Sequence, residues 1–126
     1  METVNDEIFR IDKLDYSDAL IKASLFINAT SSIFKGHFPG QPVVPGACML
    51  QIVKEVLESA FGQSLQIKKA ANLKFIAMID PLKTTSVQLE ISYKSIEDGI
   101  SFTGKISNVD IVYFKCAATA VAINNT

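Results

Sequence analysis

His37 is the only histidine of the chain, and it lies in a loop rich in glycine and proline. Residues 36–46 contain three glycines and three prolines. Because each proline fixes a backbone dihedral, the loop should hold the imidazole in one place. A neutral imidazole titrates close to physiological pH, which suits it to removing a weakly acidic proton from a substrate. His37 is therefore the first candidate catalytic residue, although a histidine in such a loop is, without further context, more often a surface or hydrogen-bonding residue.

A long apolar segment follows the loop and predicts a helix over residues 47–61. Gly62 fits the glycine that often ends a helix, and Pro45 and Gly46 suit the helix entry. Backbone N–H groups lack helical partners at this end and the helix dipole is positive, so negative charge on an oxygen is stabilised there. The sequence thus predicts an imidazole close to free amide donors.

The predicted helix is apolar over most of its circumference and carries one narrow polar stripe. Gln51 and Glu55 are neighbours one turn apart in this stripe, and so are Lys54 and Glu58. A solvated helix face with one weak ion pair would explain Lys54 and Glu58. Gln51 and Glu55 are the better candidates for a site because of where they fall relative to His37.

The spacing of histidine, prolines and glycines resembles a known active-site signature. HFPG at residues 37–40, Pro42, and VPG at residues 44–46, followed by an apolar helix, are similar to the beta-hydroxyacyl-acyl carrier protein dehydratases of fatty-acid synthesis. The resemblance implies the α+β class and the hot-dog fold, in which a curled antiparallel sheet wraps around one long central helix. One position departs from the family. Where it carries its catalytic acid, fourteen residues after the histidine, this chain has Gln51, and Glu55 stands where the family commonly has glutamine.

The resemblance also implies an activity, the dehydration of 3-hydroxyacyl thioesters to 2-enoyl thioesters. In that reaction His37 would remove the proton at C2, and the N–H of Gly46 would bind the thioester oxygen. A carboxylic acid such as Glu55 can protonate the leaving hydroxyl, whereas an amide such as Gln51 can only orient it or a water. The candidate site therefore comprises the catalytic residues His37, Gln51 and Glu55 and the oxyanion or substrate-binding residues Gly46, Phe38 and Pro45.

The same resemblance implies the partners. The acyl chain would arrive on the phosphopantetheine of an acyl carrier protein, and the site would lie between the subunits of a homodimer or of a higher oligomer of dimers. Two alternatives stay open. Gln51 favours a catalytically weakened hot-dog protein that binds acyl thioesters or partners an active subunit, and a hot-dog thioesterase is the third interpretation.

Composition restricts the class of protein. The 126 residues are 48% hydrophobic and 20% charged, which is typical of one globular domain spanning residues 1–126. A net charge of −1 gives no pull toward nucleic acid, no apolar run reaches membrane-spanning length, and the acidic N-terminus is no signal peptide. Cys48 and Cys116 lack metal-ligand spacing. We therefore expect no metal, no cofactor, reduced thiols and a cytoplasmic location.

The rest of the chain predicts strands and turns. Residues 8–14 predict a short strand or a helical turn, and residues 15–18 predict a turn. The later part of 65–79 is apolar at both odd and even positions, which is typical of a strand covered on two sides. Asp98-Gly99 is a strong hairpin signal. Strands are predicted over residues 20–27, 65–79, 87–93, 100–106 and 111–123.

Overall fold

One long helix and six antiparallel strands make up residues 7–36 and 42–123, the part of the chain that the computed structural model describes. The elements are β1 (Phe9–Ser17), β2 (Leu20–Ile27), a 3₁₀ helix (Ser32–Gly36), α1 (Gly46–Phe61), β3 (Leu65–Phe75), β4 (Ser86–Ile96), β5 (Gly99–Asn108) and β6 (Ile111–Ala122). The strands lie side by side in the order β1-β2-β4-β5-β6-β3. This is the α+β architecture that the sequence predicts.

The position of α1 follows from the order of the strands. The chain leaves β2 near one edge of the sheet and enters β3 at the other edge, so α1 carries it across one face. The apolar face of α1 is buried there, through Met49, Ile52, Val53, Val56 and Leu57. The contact is close at β5, where a Cβ on Gly104 would lie 3.4 Å from Cγ1 of Val53. The core therefore sits between this helix face and the sheet.

Both ends of α1 agree with the predicted signals. Pro45 is the N-cap residue, with φ −63° and ψ 145°, and the helix begins at Gly46. Gly62 caps the C-terminus in the left-handed region, with φ 69°, and its N–H donates to the carbonyl of Glu58 at 2.8 Å. A glycine adopts this conformation without the steric cost that a Cβ would add.

The sheet confirms the predicted alternation. Val87, Leu89 and Ile91 of β4 are almost fully buried, whereas Gln88 between them and Ser92 after them are exposed. The predicted hairpin joins β4 to β5, with Glu97-Asp98 as its turn and Gly99 as the first residue of β5. One face of these strands therefore packs on the core and the other faces solvent.

Two local predictions are wrong. Residues 15–17 pair with β2 as the end of β1, so the turn is limited to Asp18-Ala19, where Ala19 takes φ 66°. Residues 65–79 are also not covered on two sides within this chain, because the residues of β3 after Leu65 are mostly exposed. Among the described strands, β3 lies at the edge of the sheet and pairs with β6 alone. The strand ends at Phe75, four residues earlier than the sequence indicated.

Within the described residues, no helix is long and apolar enough to cross a membrane.

We expect Gly62→Ala to lower the free energy of unfolding by about 1 kcal/mol, the approximate cost of a left-handed alanine. Among the described residues, no atom apart from those of its chain neighbours lies within 4 Å of the position of the added Cβ, so a clash would not contribute. Gly62→Asn should lose less, because asparagine tolerates this region. Urea unfolding of the three proteins measures the difference, and equal stability of Gly62→Ala and the native protein would contradict the assignment.

Candidate functional site

Gln51 and Glu55 contact each other on the surface of α1. The Nε2 amide nitrogen of Gln51 donates to Oε2 of Glu55 at 3.0 Å. Gln51 is exposed and Glu55 is half-buried. Side chains on a helix lean toward its N-terminus, which brings the carboxylate back toward the amide across one turn. The two functional groups are therefore adjacent, although their backbone positions differ by about 5.4 Å along the axis.

The second pair of the polar stripe has a structural role. Lys54 Nζ lies 3.2 Å from Glu58 Oε2, and the same carboxylate oxygen accepts the backbone N–H of Leu65 at 2.8 Å. Glu58 thus connects the end of α1 to the start of β3. This agrees with the interpretation that explains Lys54 and Glu58 without catalysis.

A small cavity of about 130 Å³ opens beside the Gln51–Glu55 pair. Apolar side chains from β1, the 3₁₀ helix and α1 provide most of its wall, and Cys48 lies on the same side of α1 as Glu55, two turns earlier. The residues that line it are Glu7, Ile8, Phe9, Ile33, Cys48, Gln51, Ile52 and Glu55. A carboxylate and an amide therefore border a mainly apolar cleft, which is the usual composition of a small-molecule site.

Cys48 responds electrostatically to the same carboxylate. Burial raises the pKa of the Cys48 thiol above its ordinary value, and the neighbouring charge of Glu55 raises it further. Burial also raises the pKa of Cys116, while a hydrogen bond with the backbone of Gly104 opposes the shift. Both thiols are free, and both environments favour the uncharged form.

The start of α1 offers amide donors next to an aromatic ring. The N–H of Cys48 donates to the carbonyl of Pro45 at 3.0 Å, whereas the N–H of Gly46 precedes the first helical hydrogen bond and projects from the helix end. A Cβ on Gly46 would lie 2.6 Å from Cε1 of Phe75, so the ring lies directly against this residue. Phe75 also packs against Phe114, with ring centroids 5.0 Å apart. The helix entry therefore combines a donor with an apolar wall.

One chain does not bring Gly46 and Glu55 to the same substrate atom. They are nine positions apart in the helix, which places them about 13.5 Å apart along the axis and on opposite sides of α1. Gln51 is about 7.5 Å from Gly46 along the axis and is also turned away from it. A site that uses both the Gly46 N–H and the Glu55 carboxylate therefore needs one of these groups from a second chain.

Two of the predicted site residues, His37 and Phe38, lie outside the described residues. Phe34, just before them, is buried, as expected for a residue that anchors the loop. Phe75 and Cys48 are neighbours of the site that were not predicted from the sequence. The seven-residue spacing of Cys48 and Glu55 places them on the same side of a helix and could have indicated that they are neighbours. The contact between Phe75 and Gly46 depends on the strand order, and no local sequence pattern indicates it.

Comparisons with known proteins agree with this architecture. Residues 13–113 match the sequence family described as ApeI-like, ApeI dehydratase. The 3-hydroxyacyl-[acyl-carrier-protein] dehydratase FabZ of Fusobacterium nucleatum is 26% identical over 117 residues, covering 89% of this chain and 82% of that protein. FabZ of Haemophilus influenzae is 30% identical over 100 residues, covering 72% and 67%.

The fold is also that of a solved structure, the dehydratase heterocomplex ApeI:P from Xenorhabdus doucetiae. The two chains superpose with a TM-score of 0.72 at 17% identity, covering 90% of this chain and 97% of the other. The hot-dog fold that the resemblance implied is thereby confirmed.

We expect Glu55→Gln to lower the pKa of the Cys48 thiol without returning it to its ordinary value. The substitution removes the carboxylate charge but leaves the burial, which is the larger cause. At a fixed pH below the pKa, more thiolate is then present and alkylation is faster. The measurement is the pH profile of iodoacetamide labelling of the Cys48 peptide by mass spectrometry.

Glu58→Gln is the matched control, since it removes a carboxylate from the same helix and retains an oxygen that can accept the Leu65 N–H. Its labelling profile should stay that of the native protein. If both substitutions shift the profile equally, Glu55 is not the specific neighbour of Cys48.

Proposed function

Because this chain belongs to the ApeI-like dehydratase family, we propose that it removes water from 3-hydroxyacyl thioesters carried on acyl carrier protein, in fatty-acid synthesis or a related lipid or polyene pathway. The observation that carries the proposal is the hydrogen-bonded Gln51–Glu55 pair beside an apolar cavity. In this pair the Glu55 carboxylate lies next to the side chain of Gln51, the residue at the position where the family has its acid. The product would be the 2-enoyl thioester.

In the proposed reaction His37 takes the proton from C2 as the general base. The electron pair of that C–H bond becomes the C2=C3 double bond, and the bond between C3 and the hydroxyl oxygen breaks. During this step negative charge develops on the thioester oxygen. The N–H of Gly46 is the donor for that oxygen, and removal of such a donor typically costs about 3 to 4 kcal/mol of transition-state stabilisation.

Glu55 is the proposed source of the proton that converts the leaving hydroxyl to water. The carboxyl ends this step ionised, and the proton that His37 took from C2 returns to it through water when the product leaves, which restores both groups. A protonated carboxyl can donate to that oxygen directly or through one water, if the heavy atoms lie roughly 3 Å apart. Gln51 contacts the same carboxylate at 3.0 Å, and its own carbonyl oxygen can accept a hydrogen bond from the substrate hydroxyl. The pair thus divides the task between a proton donor and an orienting amide.

The complete site is proposed to form between two copies of the chain. Gly46 and Glu55 face opposite sides of α1, so one copy would supply the amide donor and the other the carboxylate. The free edge of β3 and the segment that follows carry exposed apolar side chains next to the helix entry, which fits a surface covered by another subunit. These side chains are Leu73, Phe75, Ile76 and Met78.

A second candidate function is that of a weakened subunit in a mixed assembly. Gln51 supports it, because an amide at the acid position cannot donate the required proton. The solved Xenorhabdus doucetiae structure is described as a heterocomplex. In a mixed assembly of our proposal, this chain would contribute the Gly46 donor and the His37 loop, and its partner would contribute the acid.

We place the protein in the cytoplasm, because the free thiols Cys48 and Cys116 fit the reducing conditions there.

The proposed acid is tested by hydration of a 2-enoyl thioester, the reverse reaction. We expect Glu55→Gln to lower the rate by about a hundred- to ten-thousand-fold, the loss expected for a general acid. Glu58→Gln should keep the native rate, because its carboxylate has a structural role. The assay follows loss of the enoyl absorbance, and a parallel thiol assay reports hydrolysis by a thioesterase.

Gln51→Glu separates the two candidate functions. If the native chain shows no turnover alone and Gln51→Glu gains it, Glu55 is not the acid and the weakened-subunit function is favoured. If the native chain is active and Glu55→Gln is as active, the proposed role of Glu55 is wrong.

We expect light scattering to give a multiple of the 13.8 kDa chain mass. Met78→Asp places a charge in the exposed apolar segment and should shift the protein toward the monomer. Val109→Asp is the matched control, since Val109 is 93% exposed in the turn between β5 and β6 and Met78 is 77% exposed. A native monomer, or equal dissociation by both substitutions, would contradict the shared site.

A further inference from the structure

A row of six charged side chains crosses the outer face of the sheet, with one residue from each strand. Each member is the direct cross-strand partner of the next. Because directly paired residues project from the same face, the row forms one continuous line. In the order of the strands it consists of Asp15, Lys22, Glu90, Lys105, Lys115 and Lys74.

This line faces away from α1. Leu89 and Ile91, on either side of Glu90, are buried in the core, and Phe114 and Cys116 are buried on either side of Lys115. Since successive residues of a strand point to opposite faces, the charged residues point outward. The row is therefore separate from the cavity beside Glu55.

The charges alternate in sign over the first four strands and then cease to alternate. Glu90 lies between two lysines, at 4.0 Å from Lys22 Nζ and 3.7 Å from Lys105 Nζ. Beyond it, Lys105, Lys115 and Lys74 are consecutive, and like charges directly opposite each other are unfavourable. Among residues 7–36 and 42–123, no carboxylate oxygen lies within 4.0 Å of the ammonium groups of Lys115 or Lys74.

A groove lies along the lysine end of the row. Lys105, Lys115 and Lys74 line it, and Glu90, which pairs with Lys105, lines its β4 side. It has a volume of about 360 Å³, and its floor includes a second row of paired residues on the same face. The second row consists of Ser92, Thr103, Ala117 and Asn72. Ala117 has the smallest side chain of this second row and leaves space between its neighbours. Those neighbours carry hydroxyl and amide groups that can donate hydrogen bonds.

We propose that this groove binds a small phosphate-bearing anion with at least two negative charges. Three ammonium groups on adjacent strands span about 10 Å, and they can approach clustered phosphate oxygens from several directions. The hydroxyl and amide donors of the floor complete the recognition. The volume falls in the range of ligand pockets, roughly 300 to 1,000 Å³. The bound anion removes the repulsion between the lysines, which supplies a driving force.

The charge pattern argues against two other occupants. A second copy packed with its two-fold axis at the groove would bring lysines against lysines. An extended acidic protein surface would meet Glu90 and Asp15 at the other end of the row, whereas the excess of positive charge is confined to β5, β6 and β3. A compact anion bound over β6 and β3 contacts Lys115 and Lys74, on the side of the groove away from Glu90.

Inorganic pyrophosphate is the probe, and titration calorimetry on the full chain is the measurement. We expect saturable binding with a Kd of about 1 mM or lower, and a loss of about tenfold in Lys115→Gln, as expected when one charged hydrogen bond is removed. Lys74→Gln, a second exposed site in the row, should show the same direction. Lys22→Gln is the matched control, because this lysine lies in the same row beside carboxylates, and it should bind as the native protein does.

Three results would overturn the proposal: no saturable binding of pyrophosphate, equal losses in Lys115→Gln and Lys22→Gln, or tighter binding of a polyglutamate peptide than of pyrophosphate. The last result would indicate a protein-docking surface. Thermal melting of the ligand-free variants in low salt gives an independent check, because loss of a repelled lysine should leave Lys115→Gln at least as stable as the native protein. A clear drop in its melting temperature would also overturn the proposal.

Discussion

The burial of one face of α1 against the sheet determines where every candidate functional group lies. Met49, Ile52, Val53, Val56 and Leu57 fix the rotation of the helix, since turning it would expose these side chains and bury its polar stripe. Once the rotation is fixed, the amide donors of the helix entry and the Gln51–Glu55 pair must project in different directions. The chemistry proposed for this protein is therefore constrained first by hydrophobic packing.

That constraint bears on the exchange of acid and amide that the family resemblance implies at Gln51 and Glu55. The two side chains lie on the same side of α1 and contact each other, so such an exchange would move the carboxylate by less than the spacing of the two backbone positions suggests. It leaves the carboxylate half-buried beside an apolar cavity and the amide exposed. The local electrostatics are also affected, because the thiol of Cys48 responds to the same charge.

Local and periodic signals allowed much of this fold to be predicted. The helix ends followed from Pro45-Gly46 and Gly62, and the alternation of β4 followed from residues with a period of two. The burial predicted for residues 65–79 is not found within the single chain. Apolar residues on both faces of a strand indicate burial, but they do not indicate what covers the strand. The neighbours of the site were also beyond sequence reasoning where they depended on strand order. Phe75 reaches Gly46 only because β3 lies at the sheet edge beside β6.

The strand order also affects how the chain reaches its native state. Among the described strands, β3 has a single partner, β6, which begins thirty-six residues after β3 ends. During synthesis, β3 is therefore complete well before β6 can pair with it, and a pairing of such high contact order closes slowly. Lys68 lies in a bulge of this strand and Lys69 follows it, and they supply the irregularity and charge that discourage an unpaired strand from joining other chains. The irregular, basic part of β3 thus protects a nascent chain whose later apolar end remains exposed.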